Sequence, residues 1–506
     1  MTDAAYLTLS SGTSRYLTQA AGTSRYLTQA AGTDYYLTLQ DPVAYVNDAV
    51  ALLAEATWYI DAHQHSGSET ITNLGTAGTA LNALNGGGTA ITTNDAQWLA
   101  YDPAVGPYVY LPGVAGNFLS LSDSAALDIT GDIDIRVKVA LDDWTPSATN
   151  TLIAKSAASG NFGYFLNLNT AGNLVLGWSA DGTTSISKTS TAAPTVSDGA
   201  VLWVRATLDV DNGASGNDVK FYTSSDGTNW TQLGSKVTTA GVTSIFANTS
   251  ALRVGHPVSG TASVSTGKYY RAIVKNGIDG TSVLDIDTSV LTSASQTTFT
   301  EQSSNAATVT VNRATSGRKT TLVGGWVGGG SKWLFGTDDY MEVPDNAALN
   351  FGASDSFTVL AVTRLWATNS ANRVILGKRA TVTDAGAGWL IRTSANVTAL
   401  DMGDGSTRVT DSTNDTFSSG SFYMSAATRG SGSVAMYVNA VSDGATSDTT
   451  TGSLSNAEVM RVGRLSGAGA SYSDMEFMAA CIWRRALTTA EISALYDYFT
   501  TRAYNG

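Results

Sequence analysis

Two of the three histidines of this chain lie one residue apart, at His63 and His65. In an extended segment, residues at i and i+2 point to the same side. In a three-fold assembly, three such pairs would surround one transition metal ion with imidazoles, which are common ligands for such ions. The alternative is a pair of solvated histidines in a polar loop. The spacing therefore predicts a metal site at His63 and His65 only if the chain forms a trimer.

Tryptophan is the residue type best suited to contact a sugar ring, because its large ring face is apolar while its edge can donate a hydrogen bond. The chain has 11 tryptophans. Trp203, Trp389 and Trp483 lie within apolar runs, and we expect them in the core. Three others lie at strand ends or beside loops and are better candidates for contact with a glycan: Trp144, Trp178 and Trp366.

Oxygen-bearing side chains cluster at another place, between two apolar runs. The cluster consists of Asp209, Asp211, Asn212, Asn217 and Asp218. Calcium prefers several oxygen ligands supplied by one flexible loop. Aspartate and asparagine also build hairpin turns by hydrogen bonding to their own backbone. The sequence leaves both interpretations open, a cation-binding loop and an Asx-rich hairpin.

The elements that must position these side chains are predicted to be strands. From about residue 69 to the C-terminus, short Val, Ile, Leu, Tyr and Phe runs alternate with Gly, Asp, Asn and Ser turns. Residues 132–139 alternate strictly between polar and apolar, which is typical of a strand with one buried face. Many short strands with regular turns indicate a sandwich, jelly roll or barrel. The fold class predicted is therefore mainly β.

This β region contains an internal duplication. Residues 118–127 match 340–349 at an offset of 222 (345 − 123), and 252–255 match 460–463 at an offset of 208 (461 − 253). Two anchors in the same order predict two tandem antiparallel β-sandwiches. We place the first at 69–320 and the second at 321–506, with a glycine-rich joint near their boundary.

The N-terminal 68 residues differ in sequence pattern from the rest of the chain. Residues 1–40 carry the triplet Tyr-Leu-Thr every ten residues (16 − 6), which predicts a β-repeat arm or a flexible duplicated arm. Residues 41–68 are predicted as a short helix and linker for attachment and oligomerisation. The helix begins at Asp41 and Pro42, and its apolar spacing is that of a coiled-coil seam or of a helix packed on its own domain. The seam positions are Val43, Val46, Val50, Leu53, Thr57 and Ile60.

Three segments of the second copy carry a family resemblance: YMEVPDNAALNFGASDSFTVLAVTRL, EVMRVGRLSG and ACIWRRALTTAEISALYDY. They resemble laminin-G-like domains of the concanavalin A-like lectin/glucanase superfamily, which implies jelly-roll sandwiches. The first copy, around YVYLPGVAGNFLSLSDSAALDITGDIDIRVKVALDDW, is similar to laminin-G-like domains of actinobacterial phage tail and virion proteins. The resemblance covers roughly residues 70–506. The first copy lacks the closing helix, so its C-terminal edge must be completed differently.

The resemblance also bears on metal binding and catalysis. Laminin-G-like domains often hold calcium at a rim loop, which implies Ca²⁺ at the cluster containing Asp209. Glucanases of the superfamily carry a Glu-x-Asp-x-x-Glu pattern on one strand for glycoside hydrolysis. The chain has seven glutamates, none of which has that spacing, and Asp474 with Glu476 comes nearest. With one cysteine and three histidines, other covalent mechanisms are also poorly supported, so we predict that the protein is not an enzyme.

The net charge of −13 argues against nucleic acid and anionic membranes as partners. The N-terminus shows no secretory pattern. We therefore expect a phage virion protein, a minor tail or fibre protein rather than a head protein, assembled in the host cytoplasm. Residues 1–68 would bind other virion proteins, a trimer is favoured, and the sandwiches would adhere to host-surface polysaccharide. The alternatives are a capsid or tail decoration protein without a sugar ligand, then a bacterial surface lectin or a polysaccharide hydrolase.

Overall fold

A computed structural model describes residues 4–8, 14–18, 26–27, 39–40, 42–87, 96–158, 160–260, 262–366, 372–394, 397–413, 417–467 and 472–502. The fold is mainly β, and four large antiparallel sheets form two jelly-roll sandwiches. This architecture confirms the predicted fold class. The described part of the chain includes no helix that is both long and apolar enough to cross a membrane.

The first sandwich consists of sheets I and II. Sheet I contains nine strands: Tyr108–Pro112, Ile133–Leu141, Leu202–Asp209, Gly216–Ser224, Thr231–Gln232, Val237–Ala240, Thr266–Asn276, Thr281–Asp287 and Thr321–Val323. Sheet II contains eight: Phe118–Leu121, Asn150–Lys155, Tyr164–Leu168, Leu174–Trp178, Ile186–Thr189, Leu252–Val254, Thr298–Thr300 and Thr308–Asn312. The late strands from 281 to 312 complete the edge that has no closing helix.

The second sandwich consists of sheets III and IV. Sheet III contains eight strands: Trp58–Asp61, Gln97–Leu99, Lys332–Phe335, Phe357–Leu365, Phe422–Gly430, Ser433–Val438, Val441–Ser447 and Met475–Trp483. Sheet IV also contains eight: Thr70–Ile71, Ala83–Asn85, Met341–Val343, Arg373–Lys378, Gly388–Ser394, Val397–Gly403, Arg408–Ser412 and Met460–Val462. The strand orders of sheets III and IV parallel those of sheets I and II.

Strand pairing divides the chain differently from the predicted ranges 69–320 and 321–506. Trp58–Asp61 pairs with Met475–Trp483, and Gln97–Leu99 pairs with Lys332–Phe335. Segments that precede the first sandwich therefore complete the second one, and the first sandwich is an insertion between them. The physical reason is edge protection, because the buried strand Lys332–Phe335 would otherwise expose unpaired backbone groups.

The predicted period-two alternation is present in strand Ile133–Leu141. Ile135 and Val137 are fully buried in the core of the first sandwich. Arg136 and Lys138, which alternate with them, lie on the outer face of sheet I and are partly exposed. The pattern therefore identified which side chains of this strand face outward.

The first duplicated anchor has an electrostatic explanation. Lys155 Nζ lies 2.8 Å from Asp123 Oδ1, and Lys378 Nζ lies 2.8 Å from Asp345 Oδ1. Both lysine side chains are only 1% exposed. A buried ammonium needs a carboxylate partner, so each copy retains an aspartate at the same place.

We expect Lys155→Met and Lys378→Met each to lower the free energy of unfolding by about 2 kcal/mol, because each removes a charged hydrogen bond from a buried site. Urea denaturation followed by tryptophan fluorescence would measure the change. The control is Lys236→Met, which removes an ammonium that is 53% exposed and should alter stability little. An equal loss of stability in all three variants would contradict the conclusion that the buried lysines stabilise the fold through their aspartate partners.

The N-terminal helix Pro42–Glu55 packs against the C-terminal helix Thr489–Arg502. Leu53 is buried in that contact, and the indole Nε1 of Trp483 donates to the Leu52 carbonyl at 2.7 Å. Val50 is 50% exposed, while Thr57 and Ile60 lie beyond the helix. The helix thus follows the alternative of packing on its own domain, and the predicted seam is not continuous. The side chains of Val43 and Val46 lie outside the described part.

The arm before this helix forms two small antiparallel pairs. Ala4–Thr8 pairs with Ser14–Thr18, placing Tyr6 opposite Tyr16, and Tyr26–Leu27 pairs with Leu39–Gln40. Three of the four Tyr-Leu-Thr triplets thus contribute to strands, and the triplet at residues 36–38 lies outside the described residues.

The C-terminal helix begins with a capping box, in which Thr488 and Glu491 bond to each other's backbone. The backbone N–H of Thr488 donates to the Glu491 carboxylate at 2.7 Å, and the backbone N–H of Glu491 donates to the Thr488 hydroxyl at 3.3 Å. The remaining short helices are single turns of 3₁₀ type: Ala62–Gln64, Gly78–Leu81, Ala125–Leu127, Thr288–Val290 and Ala347–Leu349.

The two sandwiches meet at a buried cluster of charges. Glu476 Oε2 lies 2.9 Å from Lys332 Nζ and 2.5 Å from Arg364 Nη1, and all three side chains are almost completely buried. Lys332 Nζ also donates to the carbonyl of Gly328 at 2.8 Å and to that of Leu322, in sheet I, at 3.4 Å. This ion-pair cluster therefore joins sheet III to sheet I.

Candidate functional site

An aromatic platform occupies the outer face of sheet I. It consists of Trp203, Tyr222 and Trp230, with Arg136 and Arg205 among the rings. The Trp203 and Trp230 ring centroids are 6.2 Å apart in an edge-to-face arrangement. The guanidinium carbons of Arg136 and Arg205 lie 5.4 and 5.5 Å from the Trp230 ring centroid, within the range of a cation–π interaction. Trp230 therefore lies over a pair of arginines rather than in the core.

One buried carboxylate orients both arginines. Asp134 is fully buried and accepts two hydrogen bonds from each guanidinium. The Nε and Nη2 atoms of Arg136 donate at 3.1 and 2.6 Å, and those of Arg205 at 3.0 and 2.8 Å. Asp279, whose side chain is 67% exposed, also contacts both Nη2 atoms. Bidentate pairs of this kind hold guanidinium planes rigidly.

A tight hairpin turn carries Trp230 to this position. The Asp226 carboxylate accepts backbone N–H bonds from Asn229 and Thr228, both at 2.8 Å. These bonds hold the pKa of Asp226 well below its usual value. Gly227 has a φ of +76°, and a Cβ there would approach the Trp203 ring to 2.7 Å. The turn is thus a folding element, and it places the Trp230 ring on the outer face of sheet I.

The platform offers the groups that a sugar-binding surface needs. The half-buried ring of Trp230 supplies an apolar face, and the exposed Asp279 supplies hydrogen-bond acceptors. The Nη1 atoms of Arg136 and Arg205 have no hydrogen-bond partner among the described residues. Lectin-type sites combine an aromatic face with a few oriented polar groups. The platform can therefore bind a sugar ring while leaving its bonds intact.

The structure places the three predicted glycan-contact tryptophans elsewhere. Trp144 and Trp178 are 4% and 2% exposed within the core of the first sandwich, so they cannot contact a glycan there and the prediction was wrong for both. Their strand-end positions turn inward under covering loops. Trp366 is half-buried at the junction of the sandwiches, with the guanidinium of Arg313 5.0 Å from its ring centroid. None of the three belongs to the platform.

The predicted histidine pair does not lie in an extended segment. Residues Ala62–Gln64 form a 3₁₀ turn, for which Asp61 accepts the backbone N–H of His63 at 2.9 Å. His63 Nδ1 lies 3.4 Å from Asp61, whereas His65 contacts the rings of Trp98 and Trp333 at centroid distances of 5.1 and 5.3 Å. The two imidazoles therefore have separate neighbours within one chain, and the predicted trimeric metal site stays untested.

The predicted cation loop is an Asx-rich hairpin. Asp209 lies opposite Asp218 in paired strands, and Asp211 and Asn212 accept backbone N–H groups of the turn. The side-chain amide of Asn217 donates to the Gly241 carbonyl at 2.8 Å. Across the described residues, no group of three or more acidic, histidine or cysteine side chains is arranged to hold a metal.

The carboxylate of Asp218 is already occupied by donors. Lys236 Nζ and the Thr238 hydroxyl donate to it at 2.7 and 2.6 Å and lower its pKa to about 2. Because the ammonium takes the place of a cation, we expect millimolar Ca²⁺ or EDTA to leave the Tm unchanged. Thermal unfolding with each additive would test this. A rise in Tm with Ca²⁺ that Asp211→Asn abolishes would show that the loop binds calcium after all.

The pair of acids nearest to a glucanase pattern is also accounted for. Glu476 is fully buried in the ion-pair cluster between the sandwiches, and Asp474 is buried at the same junction with Lys319 Nζ 3.8 Å away. Neither carboxylate reaches an open surface where a glycosidic bond could lie between two acids. These residues therefore join the two sandwiches.

The platform residues were missed because they come together only through pairing. Arg136 lies opposite Arg205 across two strands that are far apart in the sequence. The signal available was the strict alternation around Arg136, which marks an outward arginine on an otherwise lightly charged chain. It did not indicate that Tyr222 and Trp230 would flank that position.

Comparison with protein families supports the fold of the second sandwich. Residues 335–493 match a laminin G family model described as the concanavalin A-like lectin/glucanases superfamily. The match covers less than half of the chain, and it shows that the second sandwich is similar to this family. No match was found among curated proteins.

Solved structures with distant similarity include binding domains and laminin modules. Mouse laminin alpha1 domains LG4-5 are 12% identical, with 79% of this chain and 96% of that chain covered and a TM-score of 0.29. The ligand binding domain of botulinum neurotoxin serotype D in complex with N-acetylneuraminic acid is 10% identical, with 32% and 40% covered and a TM-score of 0.27. The binding domain of Paraclostridial Mosquitocidal Protein 1 is 16% identical, with 33% and 43% covered and a TM-score of 0.29.

The chain spans less than half the length of these two toxin domains. At these TM-scores the likeness carries no argument about what the chain binds.

Proposed function

We propose that the protein is a carbohydrate-binding adhesin of a phage virion, in which the aromatic platform of the first sandwich contacts a host-surface glycan. The observation that carries the proposal is the placement of Trp230 over Arg136 and Arg205, beside the exposed Asp279. The family match of the second sandwich to a superfamily that includes lectins supports it. Binding without hydrolysis agrees with the buried position of Glu476.

The virion setting rests on the sequence. The first copy is similar to phage tail and virion domains, and the Tyr-Leu-Thr repeats precede the helix Pro42–Glu55. We propose that residues 1–68 attach the protein to a tail or fibre, with a trimer as the favoured assembly and assembly in the host cytoplasm. Several copies on one particle would convert weak single-site binding into strong adhesion.

A glycan array probed with the full chain tests the adhesin role, followed by binding to intact host cell walls. We expect binding to one class of surface glycan and loss of that binding in a Trp230 variant. Deletion of residues 1–68 removes strand Trp58–Asp61 from sheet III, so the attachment test uses deletion of 1–40 alone. We expect this deletion to prevent incorporation into particles while leaving glycan binding intact.

A second candidate function is a rigid spacer or decoration protein without a sugar ligand. The observation that favours it is the buried ion-pair cluster of Lys332, Arg364 and Glu476, together with the insertion of one sandwich into the other. The chain passes between the two sandwiches twice, and the buried ion-pair cluster lies where they meet. Together these features hold the sandwiches in one orientation. Incorporation into particles together with no binding to any host glycan would favour the spacer.

A further inference from the structure

A second surface of distinct chemistry covers the outer face of sheet IV, in the second sandwich. We call it the arginine face, and it contains Arg379, Arg392, Arg408, Arg461 and Arg464. Its acidic side chains are Glu342, Asp384 and Asp401, which gives a local charge of +2 (5 − 3) on a chain whose net charge is −13. Such a concentration of positive charge attracts anions.

Strand alternation directs Arg392, Arg408 and Arg461 away from the core. Arg461 lies between Met460 and Val462, which are fully buried in the sandwich core. Asp401 likewise lies between the core residues Leu400 and Met402 and is paired across strands with Leu390 and Thr410. The face is therefore a defined surface of the sheet.

One end of the arginine face has more guanidinium groups than carboxylates to pair with. Asp401 contacts Arg392 through one oxygen and Arg408 through the other, with the Arg408 Nε donating at 2.8 Å. Arg379 lies beside this pair, and its carboxylate neighbour Asp384 is 3.6 Å away. Two guanidinium groups, those of Arg392 and Arg408, thus share the single buried carboxylate of Asp401. The guanidinium group of Arg379 has only a more distant carboxylate, that of Asp384.

Arg379 has hydrogen-bond donors that nothing in the described chain accepts. Its side chain is 0% exposed, and Nη2 donates to the carbonyl of Asp384. The Nε and Nη1 atoms are buried and have no partner among the described residues. Leaving buried donors unsatisfied costs about 1–3 kcal/mol per group. Because the side chain is fully covered, Arg379 contributes positive charge beneath the face rather than a direct contact with a ligand.

The other end of the face interleaves arginine with tyrosine. The guanidinium carbon of Arg464 lies 5.0 Å from the ring centroids of both Tyr340 and Tyr472, and that of Arg461 lies 5.2 Å from the Tyr340 centroid. Nε of Arg464 has no partner in the described part of the chain. Half-buried rings between cations offer contact area for a sugar next to charge for its acidic group.

The two ends are joined through one turn. The backbone N–H of Arg379 donates to the Ser466 hydroxyl at 3.1 Å, and Arg461 Nη1 donates to the Ser466 carbonyl at 2.7 Å. The corresponding sheet II of the first sandwich has a single arginine in its strands, Arg253. Sheet II therefore has no counterpart of the arginine face.

We propose that the arginine face binds an acidic polysaccharide through the carboxylate or phosphate groups that the polymer repeats along its chain. The proposal rests on the proposed function, because it assigns the second sandwich a ligand of the same broad class. The platform contacts a sugar ring through tryptophan, whereas this face recognises negative charge.

The test measures binding of the full chain to immobilised polygalacturonate, to poly(glycerol phosphate) and to fully methyl-esterified polygalacturonate. We expect binding to one or both anionic polymers, weakening as salt rises, and little binding to the ester. Arg464→Gln should weaken anionic binding about tenfold, since a charged hydrogen bond is lost. The control Lys236→Gln removes the same charge from the first sandwich and should have no effect.

A thermal measurement keeps the proposal testable if a variant is less stable. Anionic polymer should raise the Tm of the native chain and should raise that of Arg379→Met much less. Equal binding to the ester, or an unchanged affinity in Arg464→Gln, would overturn the proposal. Tighter binding to duplex DNA with the same loss in Arg464→Gln would assign the face to nucleic acid instead.

The two proposals fail separately. Loss of neutral-glycan binding in the Trp230 variant, with no effect of Arg464→Gln on any polymer, would overturn this inference and leave the platform intact. The absence of binding to every glycan and polymer would overturn both.

Discussion

Replacing Glu476 with glutamine should lower the free energy of unfolding by about 3–5 kcal/mol, the largest stability change that we expect from a single substitution in this protein. The carboxylate lies 2.9 Å from Lys332 Nζ and close to Arg364, and none of the three side chains is appreciably exposed. Glutamine retains the shape but leaves two buried cations without a counter-charge. Urea denaturation with fluorescence detection would measure the loss.

The matched control is Glu55→Gln, which makes the same chemical change in an exposed ion pair. Glu55 is 59% exposed and lies 2.9 Å from Arg485, so its loss should cost less than about 1 kcal/mol. A Glu476→Gln variant that is as stable as this control would show that the joint between the sandwiches does not depend on the ion pairs.

The effect of Glu476→Gln should also depend on pH. Burial alone would raise the pKa of Glu476, but Arg364 and Lys332 hold the pKa below the ordinary value of 4.5. The unfolded chain therefore takes up a proton before the folded chain does. The stability difference between native chain and variant should be fully present above that ordinary value and shrink as the pH falls through the lowered pKa.

Replacing Trp230 with alanine should weaken glycan binding about thirtyfold, which corresponds to about 2 kcal/mol for an aromatic residue at the centre of a binding site. The substitution removes the apolar face that lies over Arg136 and Arg205 and leaves Asp134 to hold both guanidinium groups. Trp230→Phe retains a smaller ring and should recover part of the affinity. Isothermal titration with the best glycan from the array would measure both.

The matched control for this experiment is Phe165→Ala. Phe165 is a partly exposed aromatic residue of the same sandwich, on the outer face of sheet II, where its ring covers Gly177. If both alanine variants bind the glycan as the native chain does, the platform is not the binding site. If both lose binding equally, the loss reflects the sandwich as a whole.

Much of the fold could be predicted because it depends on local patterns. The alternation in strand Ile133–Leu141, the capping box at Thr488 and Glu491, and the duplicated aspartates at Asp123 and Asp345 each appear in the sequence as short motifs. A strand with a buried face, the start of a helix and a paired lysine each produce a recognisable pattern within a few residues. These local patterns were sufficient to predict the fold class and the family resemblance of the second sandwich.

The division of the chain could not be predicted from such local patterns. Strands Trp58–Asp61 and Gln97–Leu99 are short, and nothing local distinguishes a partner in the first sandwich from a partner more than 200 residues away. The choice depends on which sheet edge is left unpaired once both sandwiches have formed. The burial of Trp144 and Trp178 has a similar origin, since a strand end faces solvent or core according to the loop that covers it.

The sequence by itself determined that the chain contains two copies of a β-sandwich. It also determined that glutamate is scarce and that aspartate is in excess in the turns. It could not determine which polar side chains share a surface, since that depends on the pairing of distant strands. Tertiary structure alone placed Trp230 over Arg136 and Arg205, gathered five arginines on the outer face of sheet IV, and buried Glu476 between the sandwiches. The physical reason is that a strand specifies its own two faces, whereas its neighbours are chosen by the burial and hydrogen bonding of the whole sheet.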